Sequence, residues 1–291
     1  MAFDVVPVTP DRFEAVLPLL ERFENTHMRP EDWRRMLFDL PWEVEEPHRG
    51  FMLVEGATVA GFMGTIFSRR MIGGTERRFC NLSSWIVSES HRHATLALLR
   101  PVDAMRDYTI LALTSSPAAQ ALYLRMGFRT LETAHLMVPP FARAGRLLWR
   151  GGGSVTTRLD RIRAALEAPG RRIVDDMAGT HAAQALVRDG DRRCHIVATR
   201  SPSRAGMRVA YVQYASDWEL FWDWVAPVSA AFSARFGTIG LRVDARHLRG
   251  PMPRFATRRL LPRPNLFRPA EPGITPAAVD GLYTELVGHR W

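Results

Sequence analysis

Along the first half of the chain the apolar residues change period several times, and each change marks an element. In TPDRFEAVLPLLERFEN, Thr9 stands as an N-cap and Pro10 at the first helical position. Phe13, Val16, Leu17 and Leu20 follow at helical spacing, with Pro18 weakening the middle. RPEDWRRMLFDL repeats the signature, with Pro30 and two acids in its first turn. From residue 50, three apolar runs are separated by EGAT and IGGTE, short turns that carry glycine, and this predicts an antiparallel meander. SWIVSESHRHATLALLR reads as a strand, a polar turn, and a helix predicted over Thr95 to Tyr108 with a kink near Pro101. TILALTSS is a further strand, SPAAQALYLRMGF a helix stopped by Gly127, and RTLETAHLMVP a closing strand. Two helices, three strands, then helix, strand, helix and strand make a mixed α/β order.

In the second half, RRCHIVATRS and GMRVAYVQYAS predict paired strands joined by PSRAG. DWELFWDWVAPVSAAFSARFG predicts one long helix, capped by Asp217 and stopped by Gly237. Trp218, Phe221 and Trp222 share a face of it, so core packing is the first reading of the aromatic cluster with Trp224 and a ligand pocket the second. TIGLRVDARHL is a strand and TPAAVDGLYTELV a final helix. Between the halves, RAGRLLWRGGGSVTTR breaks the pattern with a triple glycine at 151–153, after Pro139 and Pro140. The chain therefore divides into domains at 1–142 and 159–291 with a linker at 143–158.

At 291 residues, 46% hydrophobic and 24% charged, the sequence is that of a globular protein with room for two ordinary domains. It has no run of 18 apolar residues, and MAFDVVPVTPDRFE lacks the basic region and apolar core of a secretory signal. Cys80 and Cys194 are the only cysteines, which argues against a disulfide framework or a zinc site and for a cytoplasmic location without a membrane partner. The net charge of +9 raises nucleic acid as a partner, but all 39 basic residues are arginine, a bias better matched to genome composition than to phosphate contacts. The charge is also lopsided. Residues 1–145 hold 16 Arg against 17 acids, and 146–291 hold 23 against 13. Seven arginines crowd 245–270 without an acid, a patch for a phosphate or other anionic ligand or for nucleic acid, or simply a solvated proline-rich surface; the last is favoured, and nucleic acid is disfavoured.

Two local motifs narrow the function. SSPAAQALYLRMGFRTLE (115–132) holds Ala119, Leu122, Tyr123, Gly127 and Phe128 in register, with Ser116 ahead of them. SESHRHATLA follows a strand and holds Arg92 and Ala97, with His93 and Thr95 between. With the element order, these motifs resemble the GNAT acyltransferase superfamily, whose members move an acyl group from acyl-CoA to an acceptor. The resemblance covers about residues 1–138. Ser116 stands where that family commonly has Asn; Thr95 replaces the first glycine of its Arg/Gln-x-x-Gly-x-Gly/Ala pattern, and His93 a glycine often found after the Arg. The turn's task is to aim backbone N–H groups at a pyrophosphate, which any non-proline residue can do, glycine adding room.

The resemblance implies a GNAT-like acyl-CoA transferase fold with acetyl-CoA or a longer acyl-CoA as substrate. It implies that Ile86 and Val87 offer strand-edge groups to the pantetheine arm, and that Arg92, His93, Ala94, Thr95, Leu96 and Ala97 bind the pyrophosphate, with Ser116 also in the cofactor site. Tyr123 would protonate the departing thiolate. Glu89 is the first candidate for a base, with His91, Glu43, Glu45 and Glu46 as alternatives. Each has a plainer reading: Tyr123 as core packing, His91 and His93 as solvated turn residues, Glu89 as a charge favoured near a helix start. The implied function is acyl transfer, an N-acetyltransferase first of all, to a small-molecule amine or hydroxyl; the alternative is a catalytically weakened GNAT-fold binding or regulatory protein. The second half resembles a degenerate GNAT-like domain, and lacking Arg-x-x-Gly it is expected to hold no second CoA site. Oligomeric state stays open.

Overall fold

The computed structural model describes residues 3–23, 28–139, 152–202 and 206–288. Its elements begin with β1 (Asp4–Pro7), α1 (Phe13–Leu20), α2 (Pro30–Leu37), β2 (Gly50–Glu55), β3 (Thr58–Ile72) and β4 (Thr75–Val87). A three-ten helix over Glu89–Leu98, α3 (Leu99–Ala104), β5 (Thr109–Ala112), α4 (Pro117–Arg125) and β6 (Arg129–Val138) follow. Next come β7 (Ser154–Thr156), α5 (Leu159–Ala164), α6 (Ala168–Ala178), β8 (Ala183–Asp189), β9 (Arg192–Pro202) and β10 (Arg208–Ala215). The chain ends with α7 (Trp218–Asp223), α8 (Val225–Phe236), β11 (Leu241–Asp244), β12 (Thr257–Arg268) and α9 (Glu285–Gly288). None of the described helices is long and apolar enough to cross a membrane.

The chain forms two compact units. The first takes Met1–Leu131 together with two late segments, Asn265–Ala278 and Tyr283–Gly288. In its sheet β1, β2, β3 and β4 are antiparallel neighbours, β5 lies parallel to β4, and Leu266–Arg268 of β12 pair antiparallel with β5. The predicted meander is therefore β2–β4. Its core gathers Phe51, Met63, Phe67, Leu98, Ile110 and Tyr123 among others. The second unit takes Glu132–Pro264 and Val279–Leu282. Its sheet runs β6, β11, β10, β9, β8, β7, with β8–β10 another antiparallel meander and β11 parallel to β10. Most of the predicted linker, 143–151, lies outside the described residues.

Proline accounts for two departures from the predicted helices. The long helix at 217–237 is two, broken at Trp224, because Pro227 has no N–H to give and its ring would strike the carbonyl four residues back. In the stretch predicted as a helix over 95–108, α3 begins at Leu99, so that Pro101 sits in a first turn, where no N–H is needed, and a three-ten helix precedes it. The last predicted helix is only a three-ten turn at Pro276–Ala278 and the short α9, separated by Tyr283 at φ 57. Asp217 and Gly237 do cap and stop as predicted: the Asp217 carboxylate accepts from Leu220 N, and Gly237 is left-handed.

Candidate functional site

Past Asn81, β4 parts from β5. The two strands pair only from Phe79 opposite Thr109 to Asn81 opposite Leu111, while β4 continues to Val87 with β3 on its other edge. Between the pairs Gly64–Ser83 and Phe62–Ile86 the register shifts, so β4 carries one extra residue. Ser84 there takes φ 55, a left-handed conformation rare for serine. Such a bulge bends its strand and re-aims the side chains around it. The gap is a cleft of about 860 Å³, walled by Leu82–Val87, by Ala112 at the end of β5 and Thr114–Ser116 after it, and by α4. That is the size of a small-molecule site.

Inside the cleft, Tyr123 is nearly fully buried, its ring 5.6 Å from Trp85 and 4.9 Å from Phe128. Burial pushes its phenol well above the usual range, so it stays protonated. Trp85 Nε1 and Ser115 Oγ are buried there without a hydrogen-bond partner among the described residues. Ser116 lines the cleft while its Oγ accepts from Ala119 N at 3.3 Å, capping α4. Thr114 Oγ1 donates to Glu285 Oε1 at 3.0 Å. Glu285 is buried on α9, and burial pushes its carboxyl up to about 7, against hydrogen bonding from its own backbone, Thr114 and Asn81.

Of the residues singled out from the sequence, Ile86, Val87, Arg92, His93, Thr95, Leu96, Ser116 and Tyr123 all line the cleft. Ala94 is buried and Ala97 packs against the same core, away from the lining. The backbone of 92–97 lies inside the three-ten helix, where N–H groups bond carbonyls three residues back instead of forming an open row. Glu89 is exposed, pairs with Arg92 at 3.0 Å, and is not part of the wall. His91 bridges Ser88 Oγ at 2.7 Å and Glu55 at 3.0 Å, fastening the three-ten helix to β2. Glu45 is held by Arg69 and Arg78, and Glu46 accepts from Tyr108; neither they nor Glu43 reach the cleft. Thr114 and Glu285 carry no local sequence signal, because the contact spans 171 positions.

Two of the crowded arginines are spoken for. Arg246 meets Asp244 and Val279 O, and Arg268 donates to Val102 O, Met105 O and Asp103. Arg249, Arg254, Arg258, Arg259 and Arg263 face solvent. In the second unit the bulge falls at Gln213, between Val212 and Tyr214 of β10. There Gly281 N donates to Gln213 O at 2.8 Å, so a stretch of the chain itself covers the bulged strand.

No protein-family model matches the sequence, and comparison with curated proteins gives no match. Solved structures do match. A GCN5-related N-acetyltransferase from Anabaena variabilis is similar at 13% identity over 93% of this chain and 73% of its own, with a TM-score of 0.58. One from Kribbella flavida is similar at 12% identity over 92% and 71%, with a TM-score of 0.59. Eis1 from Mycobacterium abscessus is similar at 13% identity over 92% and 74%, with a TM-score of 0.52. At such identities the likeness is one of architecture, and it runs through both units: the chain has the GNAT fold.

Proposed function

We propose that the chain is an acyl-CoA-dependent acyltransferase, passing an acyl group from CoA to a small-molecule amine or hydroxyl in the cleft beside β4. The observation that carries this reading is the parting of β4 from β5 past Asn81, with the Ser84 bulge beyond it and Tyr123 across from Trp85. An edge without a strand partner offers N–H and C=O groups to an amide-bearing arm such as pantetheine, as in strand addition. Ile86 and Val87 lie on that edge. Trp85 Nε1 and Ser115 Oγ supply further polar contacts. With the amides of 92–97 engaged in the three-ten helix, phosphate charge falls to the side chains at the rim, Arg92 first, then His93 and Thr95. In the reaction the acceptor's lone pair bonds to the carbonyl carbon while the C–S bond breaks. Strand N–H groups polarise the carbonyl, and the Tyr123 hydroxyl donates a proton to sulfur.

Calorimetry with acetyl-CoA and longer acyl-CoAs, followed by mass detection of products from an amine and hydroxyl panel, tests this. Saturable binding and an acylated product are expected; no binding by any acyl-CoA at high micromolar concentration would sink the proposal. The three-ten helix over Glu89–Leu98 favours a second reading, a GNAT-fold binding or regulatory protein with weakened turnover. Acyl-CoA binding without product from any acceptor would select it.

A further inference from the structure

Thr114 is in the cleft wall, and behind it stands a buried carboxyl delivered from the far end of the chain. We infer that Glu285, acting through the Thr114 hydroxyl, receives the proton that the acceptor nitrogen loses during acyl transfer. The inference rests on the acyltransferase reading and adds to it the route of that proton.

The geometry is a two-step relay. As the C–N bond forms and the C–S bond breaks, the nitrogen proton passes to Thr114 Oγ1, and the hydroxyl's own proton passes along its 3.0 Å hydrogen bond to Glu285 Oε1. Tyr123 protonates the sulfur and regains a proton from solvent, and Glu285 returns its proton through Thr114 to solvent as the products leave. Charge is conserved, and no further reactant is needed. Glu285 Oε2 is buried, with no hydrogen bond that meets strict geometry among the described residues and with Asn81 beside the carboxyl. Asn81 of β4 hydrogen-bonds to it, Tyr123 of α4 lies within its electrostatic reach, and Arg70 of β3 stands 5.9 Å from the ring of Tyr283, its near neighbour in sequence. From α2, which packs on α9, come Asp32 and its partners Arg29 and Arg35. Burial outweighs the hydrogen bonds from its own backbone, Thr114 and Asn81, and a carboxyl poised near 7 is suited to exchanging protons at neutral pH.

The test is the pH profile of kcat with the best amine acceptor from the panel, for wild type, Glu285→Gln, Thr114→Val and Thr114→Ser. In wild type the rate rises as pH passes through about 7 and Glu285 ionises. Glu285→Gln and Thr114→Val are expected to lower kcat about 100-fold and abolish that limb, with acetyl-CoA binding unchanged, while Thr114→Ser keeps it. If wild type turns over and Glu285→Gln keeps both its rate and the limb, the relay is wrong and the acyltransferase stands. If wild type yields no product from any acceptor, the acyltransferase reading falls and takes the relay with it. Should Glu285→Gln fail to bind acetyl-CoA, Thr114→Val decides, and a retained limb there overturns the relay.

Discussion

Ser84 lines the cleft from an unfavourable backbone position. A non-glycine residue at φ 55 costs about 1–2 kcal/mol and persists only where its surroundings enforce it. Ser84→Val should therefore destabilise the protein by about that amount or more in urea unfolding, while Ser84→Gly should be neutral or stabilising. In the proposed mechanism Tyr123 combines packing and chemistry in one ring. Tyr123→Phe keeps the contacts with Trp85 and Phe128 but deletes the proton donor, so kcat should fall about 100-fold with acyl-CoA affinity retained, read by stopped assays and calorimetry. Arg92 is different, being exposed and paired with Glu89 at the rim. Arg92→Glu should weaken acyl-CoA binding about tenfold or more by calorimetry, with little change in melting temperature.

Elements were legible where local pattern and long-range packing agree. The meander β2–β4 is marked by its glycine turns and α4 by the stop at Gly127, so both elements are legible in the sequence, while the Ser116 cap is seen only in the structure. β12 could not: Pro262 and Pro264 spoil its strand signal, and what makes it a strand is Leu266–Arg268 pairing with β5, a partner far back in the chain. The sequence points to Glu89, beside the motif, as a base, and Glu89 pairs with Arg92; no local pattern connects Glu285 with Thr114 of the cleft wall, to which it is hydrogen-bonded. Capping shows the opposite case. Asp217 both accepts from Leu220 N and pairs with Arg192 at 2.7 Å, so Asp217→Ala should cost about 1–2 kcal/mol by denaturant unfolding.

Across the whole molecule, burial sets opposing responses to pH. His195 and His247 lie buried in the second unit, their pKa values pushed down to about 4 and about 3 by burial. The unfolded chain therefore binds protons they refuse, and the stability of that unit is full above about 6.5 and drains away as pH falls towards 4. Glu285 acts with the opposite sign in the first unit: its stabilisation is full below about 4.5 and is lost as pH rises through about 7. Melting followed from pH 7 down to 4 should show the acid-side loss, and His247→Phe should flatten it. The late segments of the first unit bear on something else, the order in which the protein is made. When β5 leaves the ribosome, its outer edge has no partner until Asn265–Arg268 are synthesised more than 150 residues later, and the Glu285 side of the cleft arrives later still. A nascent chain thus carries a bare strand edge through most of translation, the kind of edge that invites pairing with other chains. Ribosome-bound chains stalled before residue 265 should recruit chaperones and aggregate on release, while full-length chains should not.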